Sequence, residues 1–126
     1  MKLNHLGIAT KNIKKTEKFV RNTHNVLNTI GPIWDPNLNA NLQLFEISNG
    51  ISIELVEGPK VSSLIKKGIS LYHFCYEVDD INCKVSEFKK NGGLVIVKPT
   101  PALIFEKRLV SFINTPIGLI ELLSNK

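Results

Sequence analysis

The chain opens on an apolar-rich run, Leu3-Asn4-His5-Leu6-Gly7-Ile8-Ala9, in which His5 alternates with Leu6 and Ile8 in the rhythm of a strand. Beyond Asn12, a natural N-cap, the period lengthens to that of a helix, with Ile13, Thr16 and Val20 on one stripe. Gly31-Pro32 and Asp35-Pro36-Asn37 bound a strand around Ile33 and Trp34. Strands 41–47 and 51–57 follow as a hairpin joined by Asn49-Gly50. The same order then recurs. Residues 71–78 read as a strand, and Asp80 caps a helix that carries Ile81, Val85 and Phe88 on one face and ends at Asn91-Gly92-Gly93. Strands 94–98, 108–113 and 119–123 complete the chain, separated by a proline-punctuated loop at 99–101 and a turn at 116–118. The pattern predicts an α+β fold: one domain built from two βαβββ modules, residues 1–59 and 71–126, joined by a linker, 60–70, with a short helix.

The modules also match residue by residue. His5 lies over His73 and Ile13 over Ile81 at one offset, 68, while Glu54 lies over Glu121 at 67, so one residue is missing between the two sets. Side chains alternate on a strand. His5, Glu54, His73 and Glu121 therefore point away from their apolar neighbours Leu6, Ile53, Phe74 and Ile120, which cover the helices. All four are left on the concave side of the sheet. Carboxylates on central strands are costly to bury unless paired or bound to metal, and two imidazoles with two carboxylates suit one divalent ion, whether Zn, Ni, Co, Mn or Mg.

Composition narrows the surroundings. With 126 residues, 43% hydrophobic and 21% charged, the chain is an ordinary globular domain rather than a disordered one. No apolar run reaches the length of a membrane span and the N-terminus has no signal-peptide core, so a cytoplasmic protein is expected. Cys75 and Cys83 make neither a disulfide framework nor a zinc cluster. The net charge of +5 raises the question of an anionic partner. Lys11, Lys14, Lys15 and Lys18 form one solvated face, and aromatic residues are only 7%. This argues against a nucleic-acid binder while leaving room for a phosphate-bearing small ligand.

The runs His5–Ala9, Ile53–Glu57, His73–Ile81 and Gly118–Leu123 resemble the vicinal oxygen chelate superfamily, which includes glyoxalase I, methylmalonyl-CoA epimerase, extradiol dioxygenases and antibiotic-resistance proteins. The resemblance covers essentially the whole chain. Through His73–Ile81 and Phe105–Phe112 it is nearest to the epimerase and lactoylglutathione lyase-like members. It implies a curved mixed sheet forming a cup with helices on the convex side, and metal ligands at His5, Glu54, His73 and Glu121. It also implies a homodimer, and a substrate whose vicinal oxygens chelate the metal: an acyl-CoA or a glutathione hemithioacetal. The expected reaction is proton transfer at the carbon next to a chelated carbonyl, with Glu121 as base and Glu54 as the other acid. Epimerisation stands slightly ahead of the glyoxalase reaction.

A second base is harder to find. If Leu42 and Leu44 pack on the helix, Gln43 and Phe45 face the cup and Glu46 lies out of phase, and a glutamine carries no proton. Arg108 is a candidate anchor for a substrate carboxylate. Phe45 and Phe112, aligned at 67, are candidate pocket walls. A non-catalytic sequestering protein would be expected to lose the metal ligands, and an iron dioxygenase would leave the Glu54 position free. Neither is the case here.

Overall fold

In a computed structural model that describes residues 1–125, eight strands form one curled sheet in the order β2-β3-β4-β1-β5-β8-β7-β6. Lys126, the last residue of the expected second module, lies outside the described residues. The strands are β1 (Lys2–Ala9), β2 (Asn28–Asp35), β3 (Ala40–Glu46), β4 (Ser52–Glu57), β5 (Leu71–Val78), β6 (Leu94–Ala102), β7 (Arg108–Thr115) and β8 (Gly118–Ser124). Helices α1 (Ile13–Thr23) and α3 (Ile81–Lys90) cover the convex face, and the short α2 (Ser62–Lys66) lies in the linker. β1 and β5 run antiparallel at the centre, and each is flanked by a parallel partner, β4 and β8. Among the described residues no helix is long and apolar enough to cross a membrane.

Both helices start where their caps predict. The Asn12 side chain accepts from the Lys15 N–H, and that of Asp80 from the Cys83 N–H. Two strands run further than their prolines suggest. β2 continues through Gly31-Pro32 and β6 through Pro99 and Pro101, where a loop was expected. Both are edge strands, whose outer N–H groups have no ladder to join, and their pairing slips across the prolines, between Ile30 and Ile33 and between Val97 and Thr100.

The sheet has two apolar faces. On the convex side Ile13 and Val20 of α1 pack on Phe45 and Leu55, and Val78, Ile113, Ile120 and Leu122 form the corresponding layer under α3. The concave side is also a core, built from Leu42, Leu44, Val56, Val110, Phe112 and Leu123 and plugged by Ile104 and Phe105 of a single 3-10 turn. The edges are drawn together by Asp35, fully buried, whose carboxylate accepts from the N–H groups of Asn37 and Leu38 in its own turn and from Leu103 N–H after β6.

Two expected placements fail on this second core. Gln43 and Phe45 face α1: the Gln43 amide donates to Glu17, and the Arg21 guanidinium stands over the Phe45 ring. Leu42 and Leu44 fill the cup instead. Leu42-Gln43-Leu44-Phe45 is sandwiched between two cores, so its apolar residues do not say which face is which. The repeat changes accordingly. Leu44 pairs with Glu54 as Phe112 pairs with Glu121, so Phe112 answers to Leu44, and Phe45 answers to Ile113 under α3. The missing residue therefore lies in the turn between the third and fourth strands of a module, which spans 47–51 in the first and only 116–117 beyond the paired Thr115 and Gly118 in the second.

Candidate metal centre

Four central strands each deliver one side chain to one place: His5 from β1, Glu54 from β4, His73 from β5 and Glu121 from β8. All are at most 2% exposed, and one ligand atom from each lies within 4.8 Å of the others. His5 Nε2 is 3.1 Å from His73 Nε2 and 2.9 Å from Glu121 Oε1, while His73 Nε2 is 3.2 Å from that oxygen. Glu54 Oε1 is 3.5 Å from both imidazoles. Adjacent donors on one cation with bonds of about 2.1 Å stand roughly 3.0–3.5 Å apart. Moreover, Glu121 Oε1 makes no well-formed hydrogen bond despite these contacts. The two imidazole Nε2 atoms lie within hydrogen-bond distance of each other, so all four side chains bring their ligand atoms to one place. The cluster can hold a metal ion, and nitrogen with carboxylate oxygen suits a divalent one.

Electrostatics tie the four together. Burial works against charge on His5, but the Glu54 carboxylate beside it, together with Cys75 and Glu121, overcomes this and holds its pKa well above the usual imidazole value. His73 is raised as well, since contact with Glu121 and then Glu54 overcomes its burial. Both carboxylates are held low in turn, because the imidazoles overcome a burial that would have raised them. Burial, with the two carboxylates, pushes Tyr72 up to about 12.

Backbone irregularities position the histidines. The pairing of β1 with β5 slips between Leu3 and His5, making Asn4 a bulge residue, and again between Gly7 and Ile8, where Tyr72 is the extra residue on β5. Each bulge sits just before a histidine. His73 lies over Gly7, where a Cβ would come within 2.2 Å of its ring. His5 pairs instead with the buried Cys75 and stacks on Phe105, ring centroids 5.5 Å apart.

Phe112 faces the cluster, its ring edge-on to His73 and stacked on Tyr72. Arg108 lines the rim, but its Nη2 donates to Glu77 and its Nε to the Ser124 carbonyl. Glu46, expected out of phase, shares the concave face with Leu42 and Leu44 and reaches the rim exposed. Beside the cluster, next to Tyr72, Phe112 and Lys60, is a cavity of about 20 Å³, room for one water. A hollow of about 300 Å³ lies on the far side of Phe105, between Glu46 and Arg108. Phe105, Tyr72 and Asn4 were not singled out by sequence reasoning. The one available signal was that Asn4 and Tyr72 each immediately precede a histidine of the repeat.

The fold has close relatives of known structure. A hypothetical protein from Bacillus halodurans C-125 is 26% identical, with a TM-score of 0.78 over 99% of this chain and 94% of that one. Methylmalonyl-CoA epimerase from Mycobacterium tuberculosis, 16% identical, gives 0.78 over 99% and 88%. A variant of the Streptomyces coelicolor methylmalonyl-CoA epimerase in complex with 2-nitronate-propionyl-CoA, 20% identical, gives 0.77 over 99% and 94%. No curated protein matches the chain by sequence. The family profile matches residues 4–112, and with it the repeat, the curled sheet and the converging donors have one explanation: the chain belongs to the Glyoxalase/Bleomycin resistance protein/Dioxygenase superfamily.

Proposed function

We propose that this protein is a metal-dependent isomerase that moves a proton at the carbon next to a carbonyl of a small substrate, with His5, Glu54, His73 and Glu121 as the metal-binding residues. The observation that carries this reading is the pair of carboxylates, one from each module, flanking a pair of imidazoles. A divalent cation held there supplies Lewis acidity, drawing electrons from the carbonyl and so acidifying its neighbour carbon. Glu121 takes the proton, and Glu54 on the opposite module is placed to return one. A metal-bound carboxylate serves as a base only when it swings off the ion, so Glu121 must leave the cation to take the proton. Leu42 and Leu44 occupy the places of the third strand nearest the cluster, which leaves Glu46 at the rim outside the proton path.

The rim hollow beside Phe105, which stacks on His5, has room for part of a substrate and offers the free edge of Arg108 to an anionic group. Two substrate classes fit the chemistry. Acyl-thioester epimerisation is favoured by the shared fold with methylmalonyl-CoA epimerases. Hemithioacetal isomerisation is favoured by the absence of an acid on β3 beside the cluster, which leaves Glu54 and Glu121 as the acids in place.

The test is elemental analysis of purified protein, then a panel of acyl-CoA and hemithioacetal substrates in deuterated water, following exchange of the α-proton. His5→Ala and His73→Ala should lower metal content without unfolding the chain. Full retention in both removes the metal site. A metal-loaded protein that exchanges no α-proton yet binds a small ligand tightly is a sequestering protein instead.

A further inference from the structure

Only one of the two buried histidines has a partner on its far side. His73 Nδ1 is buried with none. His5 Nδ1 lies 2.8 Å from the Asn4 side-chain oxygen, the Asn4 amide donates to Glu77 Oε2 at 3.2 Å, and Glu77 Oε1 accepts from Arg108 Nη2 at 2.9 Å. Arg108 is anchored in turn on the Ser124 carbonyl at 2.7 Å. The chain of bonds crosses the concave face from β7 past β8 and β5 to β1, and the bulge is what puts it there. Regular alternation would send Asn4 to the helix side with Leu6, whereas the slip between Leu3 and His5 turns it into the cup beside its own neighbour.

Resting on the metal reading above, we propose that Asn4, Glu77 and Arg108 are positioning residues for His5. They hold its proton on Nδ1, leave Nε2 free to ligate, and fix the plane of the ring. The charge logic is consistent along the chain. A neutral imidazole that donates from Nδ1 to an amide oxygen presents its lone pair at Nε2, and the amide is oriented because its NH₂ is held by a carboxylate. That carboxylate is held by a guanidinium. Partners of this kind are worth 10–100-fold in metal affinity when lost. His73 has no such hydrogen bond, and its ring is set by packing alone, against Gly7, Tyr72 and Phe112.

The experiment uses the full chain with ¹⁵N-labelled histidine. Zn(II) affinity is measured by chelator competition, and solvent exchange of each ring N–H by NMR, in wild type, Asn4→Leu and Glu77→Gln. Asn4→Leu should weaken Zn(II) binding 10–100-fold and speed exchange at His5 Nδ1 at least tenfold, leaving the His73 signals in place. Glu77→Gln should fall between, because glutamine still accepts from Asn4 but loses the ion pair with Arg108. An Asn4→Leu protein with affinity and His5 exchange within twofold of wild type overturns the proposal, as does an equal disturbance of His73, which would mean general distortion. If wild type takes up no Zn(II), the metal reading fails by itself. Exchange at His5 in the metal-free proteins then still decides whether the chain from Arg108 governs the ring.

Discussion

The two modules place their histidines by the same device and then treat them differently. In each, a one-residue bulge precedes the histidine and turns the bulged side chain toward it. In the first module that residue is Asn4, hydrogen-bonded to the ring; in the second it is Tyr72, packed edge-on against the ring and leaving Nδ1 without a partner. The strand position beneath each ring also differs: His73 lies over Gly7, whereas His5 lies opposite Cys75. A repeated topology delivers four donors at one point, but it does not make them equivalent. A hydrogen bond holds one imidazole and packing alone holds the other, beside the cavity.

The largest effect should separate the carboxylates. With Glu121 as the base, Glu121→Gln should reduce α-proton exchange by about 10²–10⁴-fold, while Glu46→Gln at the rim leaves it within about twofold of wild type, read from deuterium incorporation by mass spectrometry. Equal losses in both variants would place the proton path at the rim.

Next in size, Gly7→Ala places a methyl within 2.2 Å of the buried His73 ring, which must move to make room. It should cost about 1–3 kcal/mol in denaturant unfolding and displace His73 from the other donors, with a matching loss of metal affinity. Cys75→Ala, at the related position under His5, leaves only a small void and should cost about 1 kcal/mol with metal binding retained. The reverse order of effects would mean that His5, not His73, is the crowded ring.

A pH series tests the cluster as a whole. His5 and His73 are raised, so in the metal-free protein their contribution to stability is complete below the ordinary imidazole value of 6.5 and is lost as pH rises through their shifted values. Glu54 and Glu121 are held low, so theirs is present above the ordinary 4.5 and is lost as pH falls through the depressed values. Metal-free protein should therefore show its highest Tm between about 4.5 and 6.5 and a decline toward pH 9. Metal requires neutral imidazoles, so metal affinity should climb over the same upper range. A metal-free Tm that rises steadily from pH 6 to 9 contradicts the paired cluster.

The smallest effects are expected far from the rings' nitrogens. Tyr72→Phe should leave metal affinity within about twofold, because Tyr72 contributes its ring and not a hydrogen bond to His73. Replacing Lys11, Lys14, Lys15 and Lys18, all exposed on the convex side, with Gln should leave ligand affinity and its salt dependence unchanged. A salt-dependent loss for a phosphate-bearing ligand would make that face part of the binding surface.

Much of the architecture was legible because it depends on local chemistry. Asn12 and Asp80 cap the helices that follow them, and strand alternation sets His5, Glu54, His73 and Glu121 on the face opposite the helices. The repeat then brought together residues up to 116 positions apart. What stayed hidden were choices that the sequence leaves balanced. The run 42–45 is apolar enough on both sides to fit either face, and only the discovery that the cup is itself a core turns Leu42 and Leu44 inward and Gln43 and Phe45 toward α1. Prolines read as loop because a strand interior excludes them, and only the edge position of β2 and β6 removes that exclusion.

The sequence by itself determined which four polar residues share the concave face, their duplication and the two-module order, since residue type and periodicity are properties of the chain. Tertiary structure alone decided which donors are supported. Bulges at Asn4 and Tyr72 arise from register between strands that meet only in the folded sheet, and the contact of Phe105 with His5 joins segments a hundred residues apart. Such contacts depend on shape and register, to which local periodicity is blind.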